Sequence, residues 1–440
     1  MTPQVPLTRD LVLVGGGHAH ALVLRRWGMD PLPGARLTLI DPVPTTAYTG
    51  MLPGFVAGHY TRDDFAIDLV RLARFAGARL IRARATGLDR ESRRVLVEGR
   101  PSVHYDAASF DVGITSAMPG LPGFTEHAFP AKPLGPFARR WAAFRDAGGG
   151  DVAVIGGGVG GVELALAMRH ALTEGAKVTV IDAGTALAGV SNGAATALRE
   201  RLRREGIDLV ENAAVAEITA AGPRLANGTR IPADLTVGAA GARPWPFMAG
   251  LGLPHTDGFL DVGPDLASTA DPSVFGAGDC VHLTHAPRDK AGVFAVRAAP
   301  VLHHNLRMAL EDRPDRRRYD PQKKYLKLVS LGAREAIADR GGHALTAAPS
   351  LLWRWKDRID RRFMAKLTDL PAMPAADAPR HAAAGVAEEL AAPVPCGGCG
   401  AKVGPDALSA AIADLPATNR PDVEAGAGDD AAILRIGEAR

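Results

Sequence analysis

Cysteine is scarce, with 3 residues in a chain of 440. That excludes a small secreted fold stapled by disulfides and suits a reducing cytoplasm. Long apolar runs are missing too. No stretch approaches the ~18–20 apolar residues that cross a bilayer, so membrane contact is expected only as peripheral contact with the inner face. Met1 to Asp10 lack the basic-then-apolar order of a signal peptide. There is also little net charge. The chain carries 51 basic and 48 acidic residues, leaving +3, so nothing global points to nucleic acid as a partner. What remains is an ordinary globular composition, 47% hydrophobic and 22% charged. The length suggests two or three domains.

The main organising feature is an internal repeat. Leu11-Val12-Leu13-Val14-Gly15-Gly16-Gly17 returns as Val152-Ala153-Val154-Ile155-Gly156-Gly157-Gly158. Each copy runs into an apolar helical pattern and then a second β-rich run ending in an acid. Those runs are Leu37 to Asp41 and Val178 to Asp182, with the same spacing from first glycine to aspartate. Two similar βαβ units follow. Their strands are too apolar for a half-exposed sheet, so a parallel sheet covered on both faces is expected.

A glycine turn between strand and helix lets the backbone approach a pyrophosphate, which the helix N-terminus stabilises. The acid ending the next strand accepts hydrogen bonds from ribose hydroxyls. The second copy fits this pattern in full, with Gly156, Gly158, Gly161 and Asp182. An aspartate there repels a 2′-phosphate and favours NADH over NADPH. The first copy has Gly15, Gly17 and Asp41 but carries His20 at the third glycine. A large side chain at that close-packed position implies local adjustment.

With these motifs the chain resembles the two-dinucleotide-binding flavoproteins, which have the pyridine nucleotide-disulfide oxidoreductase fold. They include type II NADH dehydrogenases and sulfide:quinone oxidoreductases. A third motif, Thr269-Ala270-Asp271-Pro272-Ser273-Val274-Phe275-Gly276-Ala277-Gly278-Asp279, supports the resemblance, as does Val237 to Pro244. The likeness covers about residues 9 to 345. It implies FAD at the first unit, with Gly278 and Asp279 at the ribityl chain. A helix from near Val293 through Arg297 and Asn305 would point its N-terminus at the flavin. The resemblance also implies that Glu163 lies near the nicotinamide, although a plain charge at a helix start is the alternative. Hydride transfer between two rings needs no protein nucleophile.

The electron acceptor is less constrained. Disulfide reductases of this fold carry two cysteines on the helix after the FAD acid. Here Tyr48 to Gly54 contains none, and Cys280 reads as a small buried filler. A quinone, oxygen or a small oxidised species remains. In Leu351 to Leu367, the residues Leu352, Trp355, Ile359, Phe363 and Leu367 fall on one helical face among six basic residues. Such a helix can lie in a bilayer interface. It can equally pack on its own domain or on a second copy in a homodimer.

Beyond an Ala/Pro-rich stretch at 371–395, Pro395-Cys396-Gly397-Gly398-Cys399-Gly400-Ala401-Lys402 resembles the N-terminus of selenide, water dikinase (selenophosphate synthetase). By that resemblance Cys399 is the reactive cysteine and Lys402 the catalytic lysine. Asp430, in Gly428-Asp429-Asp430-Ala431-Ala432, would bind magnesium with ATP phosphates. Forty-five residues cannot bury an independent core, so this part is expected to be inactive, the start of a fusion cut short.

The expected fold is therefore α/β, with two Rossmann-like units and a small α/β cap. The FAD unit would span 1–150 and 245–320, the NADH unit 151–244, and the cap 321–370. A linker at 371–395 and a partial dikinase segment at 396–440 would follow. The expected activity is hydride transfer from NADH to FAD and on to a quinone or small acceptor. One alternative is a flavoprotein half that supplies reduced selenium or sulfur to the dikinase. A second is a docking or sensing module.

Overall fold

A computed structural model describes residues 5–371, together with two short antiparallel strands at Val423–Ala425 and Ile433–Leu434. The linker and the dikinase-like segment, with Cys399, Lys402 and Asp430, otherwise lie outside the described residues.

Strand β1 (Arg9–Val14) is the centre of the first sheet, and Leu11 to Val14 are buried. A continuous apolar run is what a central parallel strand needs, because helices cover both faces. Helix α1 (His18–Met29) follows, then β2 (Ala35–Ile40) and β3 (Arg79–Ile81) on one side of β1. On the other side lies β4 (Ala107–Phe110), and outside it β10 (Val274–Gly276), far along the chain. All four pairings are parallel.

The second sheet repeats this plan. Its strands run in the order β5 (Ala128–Pro130), β9 (Leu235–Gly238), β6 (Val152–Ile155), β7 (Val178–Ile181) and β8 (Asp208–Val210). Helix α2 (Val159–Ala171) follows the glycine turn after β6. The first sheet is resumed by β10, after which α3 (Gly292–Leu310) packs against α1. Its start agrees with the expected start near Val293.

A three-stranded antiparallel sheet of β11 (Lys327–Ser330), β12 (Ala336–Arg340) and β13 (His343–Leu345) comes last, with α4 (Pro349–Thr368). Proline in the first turn of α4 loses no helical hydrogen bond, because that N–H has no partner in any helix. The five residues expected on one apolar face of α4 are divided. Leu352, Phe363 and Leu367 are buried, but Trp355 is 47% and Ile359 43% exposed. The helix is rotated because its inward face is centred on Lys356 and Asp360. These form a buried ion pair at 2.7 Å, and Lys356 Nζ also donates to Gly50 O. A buried charge needs a partner and hydrogen bonds, and those partners set the rotation. No helix among the described residues is long and apolar enough to cross a membrane.

Candidate dinucleotide sites

The two glycine turns share one hydrogen-bond plan. Gly15 and Gly156 both have positive φ, at 89° and 117°, where glycine avoids the strain of a side chain. Gly15 N donates to Ile40 O and Gly156 N to Ile181 O, tying each turn to the next strand. That strand ends in the acid. Gly16 N donates to Asp41 Oδ2 at 2.6 Å, and Gly157 N to Asp182 Oδ2 at 2.6 Å. The other oxygens accept from Val43 N at 2.9 Å and Gly184 N at 2.8 Å. Each acid is thus held beside a glycine turn and a helix N-terminus.

The third glycine position separates the copies. A carbon added to Gly161 would collide with Gly156 O. In the first copy His20 fills this place and is completely buried. Its Nδ1 lies 2.6 Å from Gly15 O and its Nε2 2.8 Å from Ser109 Oγ. The ring therefore bonds to the turn it would otherwise crowd, which is the local adjustment the sequence implied. Burial pushes its pKa down to about 4, so it is neutral near pH 7.

Around the first turn, two helix N-termini converge. A carbon placed at Gly292, the first residue of α3, would lie 3.5 Å from His18 Nδ1 at the start of α1. Both helices direct positive partial charge to this point. His18 is partly buried, which depresses its proton affinity, and its buried Nε2 has no hydrogen-bond partner. Its ring meets Tyr48 and Phe363 edge-on, and these two stack at 4.5 Å. Asp279 Oδ2 accepts from Lys132 Nζ at 3.2 Å. The orphaned imidazole nitrogen, the glycine turn and the paired helix ends together fit an anionic dinucleotide with an aromatic head.

Glu163 lies on the second turn of α2, with its Oε1 accepting from Ser330 N of β11 at 2.6 Å. Burial raises its proton affinity, while Lys356 nearby opposes this. It thus stands where the second unit, the cap and the buried α4 pair meet. Cys280 is buried and bonded to Ala277 O and Phe110 O. Burial pushes its pKa up to about 12, so it provides no thiolate.

Several residues at the first site were not read from the sequence. Asp111 accepts from Ala19 N at 2.8 Å and His20 N at 3.0 Å. Aligning the strand ends of the two units could have exposed it, because Ala239 holds the corresponding place. His18, Lys132 and the Lys356–Asp360 pair left no such signal.

Residues 9–301 match the model of the pyridine nucleotide-disulphide oxidoreductases. The chain belongs to that family. The family is FAD- and NAD(H)-dependent, and this member is an NAD(P)H-dependent flavoprotein oxidoreductase related to NADH dehydrogenases and quinone reductases. Among curated relatives, NADH dehydrogenase-like protein YutJ of Bacillus subtilis is 25% identical over 63% of this chain and 78% of its own. Demethylphylloquinone reductase NdbB of Synechocystis is 24% identical over 61% and 71%. In fold the family member is similar to the sulfide:quinone oxidoreductase of Aquifex aeolicus. The TM-score is 0.68 at 18% identity, over 82% of this chain and 92% of that one. NDH2 from Plasmodium falciparum gives 0.67 at 14% identity, over 82% and 98%.

Proposed function

We propose that this flavoprotein holds FAD at the Gly15–Asp41 site, takes NADH at the Gly156–Asp182 site and delivers the electrons to a lipid-soluble quinone. The observation that carries this reading is the convergence of the α1 and α3 N-termini on His18, beside a glycine turn whose acid is already bonded to it. Bound FAD supplies the hydride acceptor, which no side chain of the protein can provide. The protein's part is to bind and exclude water. Tyr48 and Phe363 wall the His18 side of the site, and the end of α3 offers positive potential. Asp182 holds the ribose of the nicotinamide cofactor. Glu163, fixed by Ser330 N, sets how close the second unit comes to the cap.

The exposed side of α4 favours a quinone. Leu351, Trp355 and Ile359 stand one turn apart and are exposed, interleaved with Arg354, Arg358 and Arg362. Such a face suits an anionic lipid surface, and Phe363 on the same helix reaches the aromatic wall beside His18. A second reading rests on the Cys396–Lys402 segment, whose likeness to selenide, water dikinase favours a selenium or sulfur acceptor feeding a fused dikinase. Stopped-flow reduction by NADH, followed by reoxidation with quinones, oxygen, polysulfide and selenite, tests both. Fastest reoxidation by a quinone in vesicles supports the first reading. Fastest reoxidation by polysulfide or selenite would replace it with the second.

A further inference from the structure

The two halves of the repeat differ at the strand opposite the glycine turn. Val14 of β1 pairs with Phe110 of β4, and Ile155 of β6 pairs with Gly238 of β9. The next residues, Asp111 and Ala239, therefore correspond. Asp111 N donates to Val14 O at 2.9 Å and Ala239 N to Ile155 O at 2.8 Å. One turn works with a methyl group where the other has a buried carboxylate, so the fold itself does not require an acid there.

We propose that Asp111 is a positioning residue of the first dinucleotide site, and that binding of the diphosphate there draws one proton from solvent onto its carboxylate. This rests on the assignment of FAD to that site. The N-cap of α1 is Gly17, which has no side chain to satisfy the first amides of the helix. Asp111 Oδ2 supplies the missing acceptor, for Ala19 N and His20 N. The carboxylate is also enclosed on both sides. A carbon added to Gly17 or to Gly278 would collide with it. It therefore has no room to swing away when a diphosphate approaches the same helix end.

The groups around Asp111 offer it little positive charge. From α1 come His18 and His20, both with proton affinity lowered by burial. From the end of β2 comes Asp41, and from the turn after β10 come Asp279 and Cys280. The nearby cations are engaged elsewhere, Lys132 with Asp279 and Lys290 with Val281 O. Burial first, and then Asp279 and Asp41, push Asp111 up to about 7 against the lowering effect of the His20 and Ala19 amides. A diphosphate adds two negative charges at this end, so the neutral acid is favoured when it binds. The proton enters from water, one oxygen carries it, and the other still caps α1.

The test is FAD binding to the deflavinated protein, followed by flavin fluorescence from pH 6 to 9. Calorimetry at pH 8 in two buffers of different ionisation heat counts the protons. The dissociation constant should rise about tenfold per pH unit above about pH 7, with close to one proton taken up per FAD. Asp111→Asn should give a flat profile and no uptake. If Asp111→Asn does not fold, Asp111→Ser serves as the neutral variant, and the proton count on the unaltered protein still decides. FAD that binds with a flat profile and no proton uptake would overturn the proposal alone. Retention of the slope in the neutral variant would do the same. Failure of FAD to bind at any pH would remove the FAD assignment as well.

Discussion

Two backbone amides hold the Asp182 carboxylate beside the second glycine turn, which in the proposed assignment fixes its charge where a 2′-phosphate would sit. Replacing it with arginine exchanges repulsion for attraction. Asp182→Arg should shift the ratio of kcat/KM for NADH over NADPH by at least about tenfold, the equivalent of ~1.4 kcal/mol. Steady-state kinetics with both cofactors checks this, and an unchanged ratio would remove Asp182 from the ribose. The acids of the first site make a different prediction, about pH. Burial raises Asp41 to about 6 and Asp111 to about 7, from 3.8. Acids raised in this way bind protons more tightly in the folded state than in the unfolded one. Their contribution to stability is complete below about pH 4 and is lost as pH rises through 6 to 7. Buried histidines such as His20 and His303, pushed down to about 4, act in the opposite direction over the same range, so the contribution of Asp111 is isolated by comparison with its neutral variant. Between pH 5 and pH 8 the deflavinated protein should lose stability relative to Asp111→Asn, by roughly a kcal/mol or more. Melting temperatures whose difference between the two proteins does not change with pH would contradict it.

Helix α4 shows how far periodicity carries and where it stops. Its position and length were legible, since Leu351 to Leu367 lie within Pro349–Thr368. Its orientation was not. Spacing identifies an apolar arc, but the rotation of that arc depends on partners distant in sequence. Here those partners are Gly50 O for Lys356 and Tyr48 for Asp360. An i,i+4 Lys–Asp pair reads as a solvated pair until those contacts are known. The consequence is a clean separation of roles along one helix. Phe363 is buried against Tyr48, and Phe363→Ala should cost about 3 kcal/mol of stability, measured by chemical denaturation. Trp355→Ser with Ile359→Ser should cost far less, because both positions are exposed. That double variant should nevertheless lose sedimentation with anionic vesicles, which salt should also weaken. If it sediments as well as the unaltered protein, the exposed stripe does not meet lipid.

At the scale of the whole molecule, the repeat made the two parallel sheets and the paired acids readable in advance. Glycine turns and buried strands leave a local signature, and the same signature occurs twice. What joins the parts left almost none. The second unit reaches the cap through Glu163 to Ser330 N and Arg201 to Glu335. The first unit reaches it through Tyr48 to Asp360 and His59 to Gly332 O. Each contact is a single pair far apart in the chain, invisible to spacing. The same holds for the convergence of α1 and α3, although the start of α3 was foreseen from the family resemblance. That convergence, with the unpartnered Nε2 of His18, carries the central claim. The most direct measurement is therefore of the cofactor itself. Heat or acid release from the purified protein should yield one FAD per chain, and anaerobic addition of one equivalent of NADH should bleach its visible band before release. Release of FMN, or of no flavin from a protein that cannot be reconstituted with FAD, would contradict the account.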